Sequence, residues 1–225
     1  MPLTQRPAGV VHVMVVAKAS VPGVTKTRLA AVVGEQRAAE LSAAAFEDTL
    51  RVCGSVFDVG HRHVALAGDV TEGVEARRIT RALEGWTVRP QISGGFAERL
   101  VHAHSQIPGP VIQVGTDTPQ MTPEDLRTVV GLLDTSDAVL GPAVDGGWWV
   151  LALRNPRDAQ CLLEVEMSSP TTGEQTLRAL AARGLDTALA PELRDVDVAD
   201  DAEAVAAAAP WTAFAQQWNR QDAAS

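Results

Sequence analysis

The segment VVHVMVVA, residues 10–17, and the segment KASVPGVTKTRL, residues 18–29, decide the fold of this chain. Residues 10–17 are apolar on both faces and rich in valine, which is typical of a strand buried inside a parallel sheet. The strand pattern stops ahead of the turn at Pro22 and Gly23, and a helix can begin a few residues later. The two segments therefore predict a central strand followed by a loop at the sheet edge.

Strand-like and helix-like segments alternate through the rest of the chain. Further strands are expected at 61–68, 86–92, 110–115, 137–143 and 147–153. Helices are expected at 34–52, 73–83, 93–106, 122–134, 168–184 and 201–217. Such alternation favours α/β architecture with helices on both faces of the sheet. We predict one domain over 1–225, a three-layer α/β/α sandwich with a mostly parallel, mixed central sheet. The strands at 10–17 and 110–115 should lie together in its middle.

The composition limits the classes of function. Hydrophobic residues make up 46 % of the 225 residues, the formal net charge is -9 and the pI is about 5.0. An acidic surface repels a phosphate backbone, so binding to nucleic acid is disfavoured. No apolar run reaches the roughly 20 residues that a membrane helix needs. The N-terminal segment imitates a short signal peptide, but it contains His12 and is rich in valine. The cysteines, Cys53 and Cys161, form no C-x-x-C pair, so we expect a cytoplasmic protein.

Three cations surround the Pro-Gly turn of the first loop. Lys18 precedes it, and Lys26 and Arg28 follow it. The P-loop pattern is not met, because Ser20 and Thr25 stand where its glycines belong. Exposed amides, a helix start and full positive charges nevertheless suit a di- or triphosphate. The alternative is a solvated basic loop without a ligand.

A single carboxylate follows the strand at 110–115. Asp117 lies in GTDTPQMTPEDL, residues 115–126, at the expected carboxyl end of that strand. Ligands of open α/β sheets bind at this edge, and Mg²⁺ often takes one or two carboxylates and completes its shell with phosphate oxygens. Asp117 is therefore a candidate metal ligand. The alternative is an aspartate that caps a turn.

The segment GPAVDGGWWVLAL, residues 141–153, contains a second candidate carboxylate, Asp145. Gly146 and Gly147 would let a ligand approach the backbone closely, and Trp148 and Trp149 could form a stacking wall. The alternative is a hairpin with an Asp-Gly turn and core tryptophans.

The third acidic segment is LRDVDVADDAEAV, residues 193–205. If it is a strand, Asp195 and Asp197 share one face and repel each other unless water or a cation lies between them. The alternative is a solvent-facing edge strand. The histidine pairs have no third ligand at a fixed spacing, which argues against a zinc site, and no G-x-S-x-G motif indicates a serine hydrolase.

In this order, the segments KASVPGVTKTRL, GTDTPQMTPEDL, GPAVDGGWWVLAL, MSSPTTGEQTLRAL and DVDVADDAEAV resemble the bacterial DUF2064 family. The resemblance extends over roughly residues 10 to 205. That family is similar to the nucleotide-diphospho-sugar transferase (GT-A) superfamily, which includes glycosyltransferases and nucleotidyltransferases such as the 2-phospholactate guanylyltransferases. The resemblance implies the GT-A fold and a transferase that uses a nucleotide-activated substrate.

The residue patterns and the resemblance together imply roles for individual residues. Those expected to hold the nucleotide are Lys18, Pro22, Gly23, Lys26, Arg28, Gly94 and Gly95. Asp117, with Asp197, is expected to bind Mg²⁺ or Mn²⁺. The acceptor is expected at Asp145, Gly146, Gly147, Trp148 and Trp149. Asp117, Asp145 and Lys26 are the expected catalytic residues.

The sequence departs from the family at three places. Trp148-Trp149 replaces a pair that contains tyrosine, VADDA replaces TPEDL after Asp197, and GGFAERL replaces a Gly-Asp-Leu-Gly-like segment. The leading hypothesis is a metal-dependent transferase of the glycosyltransferase type, acting on a nucleotide or nucleotide-sugar and a small acceptor. The alternatives are a nucleotidyltransferase that uses a nucleoside triphosphate and a phosphorylated acceptor, and a nucleotide-binding module without catalysis.

Overall fold

The computed structural model describes residues 9–220. Its strands are β1 (His12–Lys18), β2 (Arg62–Ala67), β3 (Thr87–Pro90), β4 (Val111–Val114), β5 (Ala138–Pro142), β6 (Trp148–Leu153) and β7 (Thr187–Leu189). Its helices are α1 (Thr27–Val33), α2 (Glu35–Val56), α3 (Ala76–Ala82), α4 (Phe96–Ser105), α5 (Pro123–Leu133), α6 (Thr172–Ala182), α7 (Ala199–Ala208) and α8 (Ala213–Asn219). Two 3₁₀ segments span Val70–Glu72 and Pro156–Glu164.

Within the described residues, the seven strands form one sheet in the order β3-β2-β1-β4-β6-β5-β7. Parallel pairs join β3 to β2, β2 to β1, β1 to β4 and β5 to β7, and β6 runs antiparallel to both of its neighbours. The α/β fold class and the mostly parallel, mixed sheet are therefore confirmed. So is the pairing of the two valine-rich strands, because β1 and β4 are neighbours near the middle of the sheet.

Alternation along β1 sends side chains into both helical layers. Val13 and Val15 pack on one face with Phe46 of α2 and Leu126 of α5. On the other face, Met14 belongs to a cluster that includes residues of α4, of α6 and of the longer 3₁₀ segment. Because both faces of the strand are buried, its sequence is a nearly continuous apolar run.

The structure corrects three expectations about local structure. One helix was expected over 201–217, but α7 and α8 separate at Pro210, which has no N–H and disfavours helical geometry in the residue before it. The helix expected from 168 begins at Thr172, because Ser168 has a left-handed backbone with φ 61°. The segment around Asp195 and Asp197 is not a strand, so their expected shared face does not exist.

Other features were not predicted from the sequence. They are β7 and the two 3₁₀ segments, whereas α1 begins where a helix was expected after the first loop. None of the helices within residues 9–220 has the length and apolar character needed to cross a bilayer. One domain over 1–225 stays a prediction, and residues 1–8 and 221–225 lie outside the described part.

Candidate functional site

The parallel pairing of β1 and β4 brings the basic loop and Asp117 together. Both strands end at the same edge of the sheet, and each is followed directly by one of these loops. Lys26 Nζ lies 2.5 Å from Asp117 Oδ1. The Lys26 side chain is only 11 % exposed, whereas that of Asp117 is 58 % exposed. The carboxylate therefore faces solvent with a largely buried ammonium group beside it.

Lys26 is held by its backbone and by a second contact. It occupies the N-cap position of α1 with a left-handed backbone, φ 50° and ψ 46°, which is uncommon for a residue other than glycine. Its Nζ also donates a hydrogen bond to the carbonyl oxygen of Val196. The ammonium group thus links the basic loop to the C-terminal segment. Since α1 has only seven residues, the charge of this loop comes mainly from its side chains.

The C-terminal segment brings the other predicted metal ligand to the same edge. The Val196 amide donates to the Asp117 carbonyl oxygen at 2.8 Å. Next to it, Asp197 forms an ion pair with Arg28, whose side chain is 74 % exposed. An ion pair this open to solvent contributes little to stability. Each predicted metal ligand is thus paired with a cation of the first loop.

The remaining residues of the first loop shape its backbone. Lys18 Nζ donates to the carbonyl oxygen of Val24 at 2.9 Å, so this cation braces the loop. The turn contains Pro22 and Gly23, and Gly23 has φ 75°. The Ser20 carbonyl accepts from the Val74 amide at 2.9 Å, which ties the loop to the segment before α3.

Asp145 lies in the turn between β5 and β6. The carboxylate of Asp195 lies close to it, a proximity that the sequence did not indicate. The Asp145 side chain accepts a hydrogen bond from the Gly147 amide at 2.7 Å. Burial, and secondly the negative charge of Asp145, raise the pKa of Asp195 above its usual range. Carboxyl groups perturbed in this way are candidates for proton transfer. The sequence pattern grouped Asp195 with Asp197 and therefore did not indicate that Asp195 lies near Asp145.

The glycines after Asp145 serve internal packing. Gly146 has φ 88°, and a Cβ there would lie 1.9 Å from the carbonyl oxygen of Pro170. The Gly173 amide donates to the Gly146 carbonyl oxygen at 2.9 Å. A Cβ on Gly173 would in turn lie 2.7 Å from the carbonyl oxygen of Gly147. The turn before α6 thus occupies the space that was expected to admit an acceptor at Gly146.

The two tryptophans also differ from the expected stacking wall. Trp149 is 3 % exposed, packs in the core and donates its Nε1 hydrogen to the Pro191 carbonyl oxygen at 2.9 Å. Its indole therefore offers no open surface to an acceptor in this arrangement. Trp148 is half-buried and points to the opposite face, because successive strand residues alternate.

Gly94 and Gly95 follow β3 at the same edge of the sheet, two strands away from β1. Gly94 has φ 124°, and the Gly95 amide donates to Glu98 Oε2 at 2.8 Å. The exposed glycines and the start of α4 leave room for a ligand at this position.

The donor set suits a metal that arrives with a ligand. Among residues 9–220, no group of three or more histidine, cysteine, aspartate or glutamate side chains could hold a metal ion. Asp117 and Asp197 are carboxylates at one edge, and Mg²⁺ commonly uses one or two carboxylates together with substrate phosphates. The residues therefore fit a shared metal and not a closed protein cage. Both metal and nucleotide assignments stay predictions.

The family model described as "Uncharacterized protein conserved in bacteria (DUF2064)" matches residues 49–169, more than half of the chain. This range contains Asp117 and Asp145, while the basic loop and Asp197 lie outside it. A search of curated proteins finds no match.

Solved structures share the fold at low identity. A protein of Desulfovibrio desulfuricans G20 assigned as a nucleotide-diphospho-sugar transferase is 21 % identical, with a TM-score of 0.77 and 95 % of each chain covered. The 4-diphosphocytidyl-2C-methyl-D-erythritol synthase of Anaerococcus prevotii is 10 % identical, with a TM-score of 0.55, 86 % of this chain and 95 % of its own covered. A cytidylyltransferase of Leptospira borgpetersenii is 13 % identical, with a TM-score of 0.53 and coverages of 85 % and 83 %. At these identities the likeness establishes the nucleotide-diphospho-sugar transferase fold.

Proposed function

The chain belongs to the DUF2064 family, and we propose that it is a divalent-metal-dependent transferase acting on a nucleotide-activated substrate. One observation carries the proposal: Lys26 and Arg28 meet Asp117 and Asp197 at one edge of the sheet. Cations and carboxylates side by side are what a nucleotide phosphate with its metal requires. Likeness in fold to proteins named as cytidylyltransferases and as a nucleotide-diphospho-sugar transferase supports it.

Binding would exchange partners within this cluster. Phosphate oxygens would accept hydrogen bonds from Lys26 and Arg28, and the carboxylates of Asp117 and Asp197 would be released to hold Mg²⁺ or Mn²⁺. The metal would supply charge neutralisation on the phosphates. The protein's own contribution is to orient the phosphates with Lys26, whose Nζ would keep its hydrogen bond to the Val196 carbonyl oxygen.

The acceptor would bind near Asp145, on the side where Asp195 lies close by. In glycosyl transfer an acceptor hydroxyl attacks the anomeric carbon, a nucleoside diphosphate leaves, and Asp145 would take the hydroxyl proton. In nucleotidyl transfer a phosphate oxygen of a phosphorylated acceptor attacks the α-phosphorus of a nucleoside triphosphate, and pyrophosphate leaves. We place the enzyme in the cytoplasm, where its buried free thiols, Cys53 and Cys161, would stay reduced.

Binding and product analysis test this proposal in two steps. Thermal shift and calorimetry with each nucleoside triphosphate and each UDP- or GDP-sugar, with and without Mg²⁺, should show metal-dependent binding. Lys26→Ala and Asp117→Asn should weaken it at least tenfold, since a hydrogen bond to a charged group contributes roughly 1.5–3 kcal/mol. Arg127→Ala, on the exposed face of α5, is the matched control. If both site variants bind like the wild type, the nucleotide site lies elsewhere.

The products then separate the remaining alternatives. With a cell extract as the source of acceptors, release of nucleoside diphosphate indicates glycosyl transfer, and release of pyrophosphate indicates nucleotidyl transfer. Tight nucleotide binding without either product contradicts the enzyme and favours a binding module.

A further inference from the structure

A cavity lies away from the Lys26 loop, between the exposed edge of the sheet and helix α4. Its volume is about 290 Å³, and its walls come from β2, β3 and α4 together with Met14 of β1. Strand β3 lies at the edge of the sheet and is mostly exposed. The volume is at the lower end of the range for small-molecule sites, roughly 300–1,000 Å³.

Two arginines give this cavity a positive charge. Arg89 on β3 and Arg99 on α4 both line it, and the lining contains no aspartate or glutamate. Within residues 9–220 neither arginine forms an ion pair with a carboxylate.

A histidine pair fixes Arg89. Its Nη1 lies 3.1 Å from His63 Nδ1, and because arginine can only donate, that nitrogen must be an acceptor. His63 Nε2 therefore carries the proton and donates to His12 Nδ1 at 3.0 Å. This tautomer requires a neutral His63. Burial, followed by the charges of His12, Arg89 and His61, lowers the pKa of His63 to about 4, which agrees with it.

A glutamine fixes Arg99. Gln91 Nε2 donates to the carbonyl oxygens of Ala17 at 3.0 Å and Ala65 at 2.8 Å, so its Oε1 must face Arg99. Arg99 Nη1 donates to that oxygen at 2.8 Å. Arg99 Nε, by contrast, is buried without a hydrogen-bond partner. Because this nitrogen is enclosed by protein atoms, a ligand in the cavity would meet the Nη atoms of Arg99 and not its Nε.

We propose that this cavity binds a small organic anion, with its oxyanion group against Arg89 and Arg99 and its apolar body against Met14, Ala65 and Ile107. Guanidinium groups bind carboxylates and phosphates through paired, charge-assisted hydrogen bonds. The apolar part of the lining selects an organic acid over a bare inorganic ion. None of the residues assigned to the nucleotide site lines this cavity, although the Arg99 amide donates to the carbonyl oxygen of Gly95 at 3.1 Å.

Calorimetry with simple probes tests the site. Phenyl phosphate and benzoate represent the two possible oxyanions, benzamide is the neutral counterpart of benzoate, and inorganic phosphate lacks the apolar body. We expect at least one of the aromatic anions to bind, and to bind at least tenfold more tightly than benzamide and inorganic phosphate. Preference between phenyl phosphate and benzoate identifies the oxyanion.

Variants then assign the binding to this cavity. Arg89→Met and Arg99→Met should each weaken binding of the probe at least tenfold, while Arg127→Met should leave it unchanged. In the wild type, the Arg99 Nε–H signal in the NMR spectrum should shift when the probe is added, which does not depend on any variant folding. Absence of binding by both aromatic anions, equal binding of benzamide, or an unmoved Arg99 signal would overturn the proposal.

Discussion

At the scale of single residues, Gly146 shows that a glycine next to a candidate catalytic residue can serve packing. Gly146→Ala would place a methyl group 1.9 Å from the Pro170 carbonyl oxygen and keep a left-handed φ of 88°. We expect a loss of roughly 2–4 kcal/mol in unfolding free energy, from overpacking and backbone strain together. Urea denaturation measures it.

Gly131→Ala is the matched control, because a Cβ at Gly131 of α5 meets nothing within 4 Å. In the interior of a helix, this change should stabilise the fold by roughly 0.5–1 kcal/mol. If Gly146→Ala and the wild type have equal urea denaturation midpoints, the turn before α6 can move to accommodate the methyl group at little energetic cost.

The Asp145 carboxylate offers a second test at this scale. Asp145→Asn keeps an oxygen that can accept the Gly147 hydrogen bond, so the turn should persist. Loss of a general base lowers the rate by roughly 10²–10⁴-fold, and nucleotide affinity should stay nearly the same. Rate and affinity are measured separately, by product release and calorimetry. An equal loss of both would place Asp145 on the nucleotide or metal side.

At the scale of elements, one buried carboxylate joins α2 to α8. Asp48 is 1 % exposed and accepts hydrogen bonds from the amides of Ala213 at 3.0 Å and Phe214 at 2.8 Å, at the start of α8. Asp48→Ala leaves these donors unpaired and should cost roughly 2–4 kcal/mol. Hydrogen exchange should show faster exchange throughout α8 than in α5.

Asp134→Ala, at the exposed C-cap of α5, is the control and should change stability by less than about 0.5 kcal/mol. If the amides of α8 exchange at the wild-type rate in Asp48→Ala, apolar packing alone holds this helix.

Elements with strong local signals were predictable from the sequence. The apolar runs of β1 and β4 indicated central strands, and Thr122 with Pro123 indicated the start of α5, where Thr122 accepts from the Asp125 amide at 3.2 Å. Strand β7 was not predictable, because it has three residues and is defined by its pairing with β5. Pro210 indicates the break between α7 and α8. The apolar periodicity continues across it, and the sequence was therefore interpreted as one helix.

At the scale of the whole molecule, sheet topology decides how much of the candidate site the sequence reveals. The contact between Lys26 and Asp117 followed from two parallel strands ending together. The proximity of Asp195 to Asp145 depends on the path of a segment without regular structure. Arg89 and Arg99 meet across a cavity between a strand and a helix, and no spacing in the sequence indicates such a cavity.

Buried histidines make the stability of the whole molecule depend on pH. His104 is fully buried, and its Nε2 lies 2.6 Å from Gln113 Oε1. Burial lowers the pKa of His104 to about 4, although the hydrogen bond to Gln113 acts in the opposite direction. The unfolded chain, with a histidine pKa of about 6.5, therefore binds a proton before the folded chain does. Stability falls as pH decreases from about 6.5 and the loss is complete near pH 4.

The expected loss from His104 is on the order of 3 kcal/mol over this window. His104→Gln cannot titrate, so its unfolding free energy should vary less with pH than that of the wild type, whatever its absolute stability. Urea denaturation at several values between pH 7 and pH 4 measures the slope. His102→Gln, on the same helix and partly exposed, is the control. If the unfolding free energy of His104→Gln varies with pH as much as that of the wild type, the folded wild-type protein must protonate His104 between pH 7 and pH 4. Local opening of α4 would allow this.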